Sequence, residues 1–206
     1  MITENDLQGH WQRDWIKAPG FEDAATRVHW LQAGSLFADL RIPLERADVA
    51  GLSCLADMDP TALGELMKAE GFAGQITVND SQCTWHRSIN WHGVPAQSDI
   101  GLMYFDASGG LIEDGVLAEY RELWQSIPQA PLRGAKVSCD EMKGFLIEND
   151  EVFLFAIGPI PNGTSRDLIA ALDGGTADIA ALQHHFTSEY VLGTWDGPLG
   201  LSLIHI

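Results

Sequence analysis

The chain has 206 residues, of which 46% are hydrophobic and 20% are charged, as in an ordinary globular protein. Its 12 basic and 29 acidic residues give a formal charge of −17. Such a charge repels phosphate backbones and anionic lipid surfaces. We therefore expect an acidic protein that binds neither nucleic acid nor membranes.

The N-terminal segment MITENDLQGHWQRDW lacks the basic and then apolar pattern of a secretory signal. The longest apolar run, VFLFAIG, is too short to span a bilayer. The three cysteines, Cys54, Cys83 and Cys139, are widely spaced, which indicates free thiols in a reducing compartment. These features favour a cytoplasmic location.

Alternation of apolar and polar residues with a period of two runs through most of the chain and predicts a mainly β protein. Glycine and polar residues at 33–34, 108–110 and 149–150 predict hairpin turns. The expected strands cover 8–16, 26–33, 35–42, 72–79, 82–92, 98–106, 110–115, 118–126, 134–139, 142–148, 151–158, 187–195 and 199–205.

Helices are expected to be few and short, within about 46–70 and 165–185. The segment DPTALGELMKAEG has Asp59 as its N-cap, Pro60 at the first helical position and Gly71 as its stop. Two later segments begin with the candidate caps Ser165 and Thr176. These helices are predicted to cover a sheet.

A layout of hairpin, Ile-Pro, helices and strand occurs twice, in VHWLQAGSLFADLRIP and about 116 residues later in GFLIENDEVFLFAIGPIP. The proline-bearing segment SIPQAPLRG lies between the two copies and resembles a linker. The pattern favours two related β-rich halves, 1–128 and 132–206. The alternative is one continuous barrel domain over 1–206.

The stretch CTWHRSINWHG contains two Trp-His pairs. On a strand, Trp85, Arg87 and Trp91 share one face, and the two histidines share the other. His86 and His92 are six residues apart, roughly 20 Å along a strand, so they are not expected to bind a common metal.

A second segment, GHWQRDWI, repeats the arrangement of arginine between large apolar side chains. Trp11, Arg13 and Trp15 are predicted to share a face. Either each arginine stacks on tryptophan and closes one end of a barrel, or it meets the acidic group of a ligand in an apolar pocket. Both interpretations predict buried arginines whose hydrogen bonds are completed by a carboxylate, backbone carbonyls or an anion.

The triplet Gly9-His10-Trp11 resembles the Gly-x-Trp signature of the lipocalin and wider calycin superfamily. In that family the tryptophan plugs the closed end of a β-barrel, often under an arginine. Longer segments, WQRDWI, TRVHWLQAGSLFADLRIP and DIGLMYFDASGGLIEDGVLAEYRELW, resemble a family best known from a fungal casein-kinase-interacting protein with two lipocalin-like domains. This resemblance covers most of 8–125 and implies an antiparallel lipocalin-like barrel with a few short helices.

We therefore predict a non-enzymatic, calycin-like protein without a cofactor, a metal site or catalytic residues. Its expected partner is a small hydrophobic or amphipathic anion in a barrel pocket, or another protein if the chain is an interaction module. The expected ligand-binding residues are Trp11, Arg13, Trp15, Trp85, Arg87, Trp91 and Tyr120.

The alternative is a barrel enzyme of the isomerase, cyclase or lyase type that uses Tyr120, Glu122 or His86. On a strand, an inward Glu122 beside Tyr120 would be placed as a general acid or base.

Overall fold

A computed structural model describes residues 1–45, 57–176, 178–195 and 201–205. Cys54 and the first part of the predicted helical region, 46–56, lie outside the described residues. A short 3₁₀ helix, Glu4–Leu7, precedes the first strand. The α-helices are α1 (Pro60–Met67), α2 (Arg166–Asp173) and α3 (Ile179–His185).

The strands agree closely with the predicted positions, because the period-two alternation marks them along the chain. They are β1 (Gly9–Ala18), β2 (Phe21–Asp23), β3 (Arg27–Ala33), β4 (Leu36–Ile42), β5 (Glu70–Asn79), β6 (Gln82–Asn90), β7 (Asp99–Phe105), β8 (Leu111–Gly115), β9 (Arg121–Ile127), β10 (Arg133–Cys139), β11 (Met142–Glu148), β12 (Val152–Pro159), β13 (Glu189–Trp195) and β14 (Leu201–His205).

Eight strands form a closed antiparallel barrel, which confirms the predicted mainly β barrel architecture. They follow the order β1-β3-β4-β5-β6-β7-β8-β9, and pairing of β9 with β1 closes the ring. The short strand β2, which the sequence analysis did not predict, pairs with the end of β1. Among the described residues, no helix is both long and apolar enough to cross a bilayer.

One end of the barrel is closed by the N-terminal segment. Ile2 and Leu7 are buried together with Trp11 in the core inside the barrel. The indole Nε1 of Trp11 donates a hydrogen bond of 2.9 Å to the carbonyl of Leu7. The opposite end is open, and there α1 and the 91–98 segment connect neighbouring barrel strands.

The remaining strands form a second antiparallel sheet with the linear order β10-β11-β12-β13-β14. Its apolar face packs on the outer wall of the barrel at β3, β4, β5 and β6, and α1, α2 and α3 contribute to the same core. The segment 128–132 links the two sheets. Among the described residues, a hairpin is followed by α1 and a strand in the first sheet, and by α2, α3 and a strand in the second.

Two β-bulges change which side chains face the barrel interior. In β1, the register with β9 shifts between Arg13 and Trp15. Arg13 lies opposite the buried Trp124, but Trp15 lies opposite Leu123, whose neighbours on β9 face inward. The prediction that Trp15 shares the face of Arg13 is therefore wrong, because one extra residue reverses the alternation.

The second bulge lies in β6, where Ala73 pairs with Ile89 and Gly74 pairs with Arg87. Trp85 and Arg87 face the interior, whereas Ile89 and Trp91 belong to the core between the two sheets. The predicted common face of Trp85, Arg87 and Trp91 is thus wrong beyond Arg87. A Cβ at Gly74 would lie 1.9 Å from the carbonyl oxygen of His86, so the bulge requires glycine there.

The helices lie in the two predicted regions, with two differences at their ends. Asp59 caps α1 as expected, with its carboxylate accepting from the N–H of Ala62. Gly71 does not end α1: it lies within β5 under the ring of Tyr190. The cap of α3 is Asp178, not Thr176 as predicted.

The shared core makes the stability of the barrel depend on the second sheet. Ile147 on β11 is fully buried in that core. We expect Ile147→Ala to destabilise the whole protein by about 2–5 kcal/mol, since it leaves a cavity between the sheets. Urea unfolding followed by tryptophan fluorescence and by circular dichroism should show one coincident transition, shifted to lower urea.

The exposed Val137 on β10 provides the control, and Val137→Ala should change the free energy of unfolding by less than about 0.5 kcal/mol. The expectation would be contradicted if the urea midpoint measured by fluorescence of the barrel tryptophans were the same in Ile147→Ala as in wild type.

Candidate functional site

A layer of charged side chains occupies the barrel interior above its aromatic core. Arg13 is 7% exposed, with Nη1 2.8 Å from Glu122 Oε1 and Nη2 3.1 Å from Asp23 Oδ2. Arg41 donates from Nε to Asp39 at 2.9 Å. In each pair the two opposite charges compensate part of the desolvation free energy that burial of either charge alone would cost.

Arg87 completes this layer at the open end. Its Nη2 donates to Asp99, and its Nη1 lies 3.3 Å from Asn90 Oδ1. Its guanidinium carbon is 3.5 Å from the centre of the Phe72 ring. Arg13 is buried and Arg87 is half-buried, and of the acceptors predicted for them the structure shows carboxylates; the stacking partner of Arg87 is Phe72, not a tryptophan as predicted.

A further carboxyl, Glu113, is buried without an arginine of its own. It lies directly opposite Glu122 on the neighbouring strand, and Glu122 already pairs with Arg13. The hydroxyl of Tyr120 donates to Glu113 Oε1 at 2.6 Å. Burial, reinforced by the charge of Glu122, raises the pKa of Glu113 well above its ordinary value and so favours its protonated form.

Asp39 responds to burial in the same direction. Its side chain is 4% exposed, and burial raises its pKa from 3.8 to about 6 in spite of the nearby Arg41. Arg41 in turn keeps its charge, because Asp39 and Glu122 raise its pKa. At neutral pH Asp39 and Arg41 are thus an ion pair.

The barrel interior leaves almost no free space. Trp30, Trp85, Trp124 and Phe72 fill it beside the charged layer, and the cavity among them measures about 10 Å³. A volume of that size admits about one water molecule. The barrel interior is therefore packed with side chains, and the charged ones lie towards the open end. A ligand the size of a metabolite does not fit inside this interior.

A larger cleft of about 440 Å³ lies at the open end. Arg87 and Asp99 are among the residues that line it, and Asp99 also borders the small inner cavity. The cleft lies between the barrel and the segment that leads into α2. Its walls are Glu70, Arg87, Asn90, His92, Val94, Pro95, Ala96, Gln97, Ser98, Asp99, Thr164, Ser165 and Arg166.

The structure brings few of the predicted site residues together. Trp11 and Arg13 lie inside the barrel below the cleft, Trp85 borders the inner cavity, and Tyr120 bonds to Glu113. Trp91 packs on Phe186 in the core between the sheets. Arg87 is the predicted binding residue that lines the cleft.

The residues of the predicted enzymatic alternative do not form one site. Glu122 is bonded to Arg13 in the interior. His86 is exposed on the outer wall, where its Nε2 lies 3.0 Å from Thr77 Oγ1. Within the described ranges, no three His, Cys, Asp or Glu side chains are grouped as they would be in a metal site.

Sequence reasoning missed most of the polar side chains at this end of the molecule. Asp39 and Arg41 alternate with apolar residues and have the pattern of an ordinary solvated strand face. Glu113 lies in a segment that resembles a polar hairpin, and Ser165 has the pattern of a helix cap. The sequence shows that polar and apolar residues alternate on these strands. It does not show that the sheet closes into a barrel, which places the polar face inside.

The protonation of Glu113 has a consequence for stability. An unfolded chain loses this proton near pH 4.5, whereas the folded chain retains it to higher pH. Glu113 should therefore contribute a decrease in the free energy of unfolding above pH 4.5, by at most about 1.4 kcal/mol per pH unit, until its folded-state pKa is reached. Glu113→Gln should lack this contribution, so the stability of the variant relative to wild type should increase with pH above 4.5.

Urea midpoints measured from pH 5 to pH 8 test this expectation. Glu119→Gln at an exposed position is the control, and it should follow the wild-type curve. Parallel curves for wild type and Glu113→Gln would show that Glu113 is ionised in the folded protein.

No model of a known protein family matches this chain, and no curated protein matches it in sequence. Among solved structures, it is similar to the crystal structure of the uncharacterized protein YLR301w from Saccharomyces cerevisiae. The TM-score is 0.60 at 11% sequence identity, with 95% of this chain and 83% of the yeast chain covered. At this identity the likeness concerns the fold alone, and it supports a barrel fold for this chain.

Proposed function

We propose that the protein binds a small amphipathic acid in the cleft at the open end of its barrel, with Arg87 as the anchor for the acidic group. The observation that carries the proposal is the position of Arg87 at the junction of the charged layer and the cleft. Its Nε is buried and has no hydrogen-bond partner among the described residues. A ligand carboxylate in the cleft would give the guanidinium an additional acceptor.

The shape of the cleft supports a ligand of modest size. Its volume of about 440 Å³ lies within the ordinary range for small-molecule sites. Val94, Pro95 and Ala96 offer an apolar wall, and the exposed Arg166 adds a second cation on the other side. This combination suits a ligand with a short apolar body and an acidic end.

The architecture also supports a relationship with calycins, which we include in the proposal. Antiparallel strands that follow each other around a closed eight-stranded barrel are the arrangement found in lipocalins. Trp11 of the Gly-x-Trp triplet plugs the closed end, and Arg13 lies two residues further along the same strand. The ligand site proposed here lies at the mouth of the barrel, since the interior is filled.

Replacement of Arg87 by methionine tests the anchor. With 4-phenylbutyrate as the probe, we expect wild type to show saturable quenching of tryptophan fluorescence, and Arg87→Met to bind about tenfold more weakly or worse. A charge-assisted hydrogen bond contributes about 1.5–3 kcal/mol, which sets this scale. The uncharged analogue 4-phenylbutanol should bind both proteins equally and weakly.

Arg121→Met is the matched control, because Arg121 also pairs with an aspartate, Asp114, but on the outer surface. It should retain wild-type affinity. Equal affinity of wild type and Arg87→Met for the acid, or equal affinity of wild type for acid and alcohol, would refute the anchor.

A further inference from the structure

The second Trp-His pair, Trp91-His92, lies where the end of β6 meets the 163–165 segment at the cleft. Directly after His92, the N–H of Val94 donates to the carbonyl of Gly163 at 2.7 Å. In return, the N–H of Ser165 donates to the carbonyl of His92 at 3.2 Å. The 91–94 segment and the 163–165 segment are thus fixed against each other by backbone hydrogen bonds.

Gly93 permits this close approach. It has φ +77, a conformation that favours glycine, and a Cβ at this position would lie 2.4 Å from the carbonyl oxygen of Gly163. A side chain at 93 would therefore push the two segments apart. The contact fixes the distance between His92 and Ser165.

The hydrogen bonds of His92 define its protonation pattern. Its Nε2 lies 3.0 Å from the carbonyl oxygen of Ala69, which can only accept, so Nε2 carries the hydrogen. In the neutral imidazole, Nδ1 is then an acceptor, and it lies 2.8 Å from Ser165 Oγ. The Ser165 hydroxyl donates to His92, as a nucleophile donates to its general base.

Ser165 does not use its side chain as helix-capping serines usually do. It occupies the N-cap position of α2, yet its hydroxyl makes no capping hydrogen bond. By contrast, Asp59 and Asp178 cap α1 and α3 through their side chains. The hydroxyl of Ser165 is instead directed to His92, and the N–H groups in the first turn of α2 have no partner within the helix.

We propose that Ser165 and His92 form an acyl-transfer site whose substrate is a short ester carrying a second, acidic group. The substrate class rests on the proposed function, since Arg87 and Arg166 line the same cleft and would hold the acidic group. The carbonyl of Ala69 orients His92 by accepting from Nε2, as a carboxylate orients the histidine of a Ser-His-Asp triad from Nδ1, so the two ring nitrogens exchange roles here.

The chemical steps balance with water as the second reactant. His92 Nδ1 takes the proton of Ser165 as Oγ attacks the carbonyl carbon, and the C–O bond to the leaving alkoxide breaks as His92 returns the proton to it. Water then gives a proton to His92 and attacks the acyl carbon, and Ser165 Oγ leaves with that proton. The products are an acid, an alcohol and the original hydroxyl. The N–H groups at the start of α2 are the donors next to the developing oxyanion.

A fluorophosphonate probe, which labels activated serines, tests the nucleophile. Peptide mass spectrometry should find the probe on Ser165 in folded protein, and neither in heat-denatured protein nor in Ser165→Ala. Ser108→Ala removes an exposed hydroxyl in the turn between β7 and β8, outside the cleft, and should be labelled like wild type. Failure to label Ser165 in the folded wild-type protein would overturn the proposal.

His92→Gln separates a chemical role from a structural one. A glutamine can still donate to Ala69 and accept from Ser165, but it is a far weaker base. We expect the labelling rate to fall by at least about 100-fold, the usual contribution of general base catalysis, while the urea midpoint stays close to wild type. His86→Gln, which alters the exposed pair with Thr77, should label at the wild-type rate. An unchanged rate in His92→Gln would show that His92 is only a structural partner.

Turnover of mono-4-nitrophenyl succinate, compared with 4-nitrophenyl acetate, tests the substrate class. We expect at least about tenfold faster hydrolysis of the succinate ester by wild type and loss of both activities in Ser165→Ala. No preference between the esters would reject the acidic substrate. Labelling of Ser165 without binding of phenylbutyrate would reject the proposed ligand while keeping the nucleophile, and the reverse result would reject the nucleophile alone.

Discussion

Neutralising charge inside a closed, nearly dry barrel is the constraint on which the rest of the structure depends. Three inward arginines need acceptors, and carboxylates on the same or neighbouring strands lie within hydrogen-bond distance of them. The carboxyl of Glu113 accepts from Tyr120 instead of an arginine, and burial raises its pKa. Because these groups satisfy each other below the rim, the barrel serves as a rigid base that presents Arg87 and Asp99 to the cleft.

Unlike the charged upper interior, part of the outer wall of the barrel is apolar, and this explains why the second sheet packs there. The outward side chains of β3 to β6 that belong to the core between the sheets are apolar, so this part of the wall needs a cover. The second sheet and the helices provide it and bring α2 to the open end of the barrel. The cleft therefore results from the way the two sheets pack, and the helix that carries Ser165 is held by the same core as the strand that precedes His92.

The sequence predicted the strands well, since alternation is a local signal, but it misplaced several side chains. A single extra residue, Asp14 in β1 or Ser88 in β6, reverses the faces of all residues that follow, and neither residue type marks a bulge. Arg87 was identified because it stands between tryptophans on one strand. Ser165 was recognised only as a cap, because its partner His92 lies 73 residues away and no local pattern links them.

The close contact at Gly93 constrains the sequences of two distant parts of the chain together. Neither the Trp-His-Gly segment nor the Gly-Thr-Ser segment at 163–165 can lengthen or gain bulk alone without losing the backbone hydrogen bonds between them. Related proteins that keep this arrangement should therefore conserve both short segments together, even where the strands between them have diverged. Relatives of this kind would be recognised by a split pattern of small residues and one histidine, where overall identity is too low to reveal them.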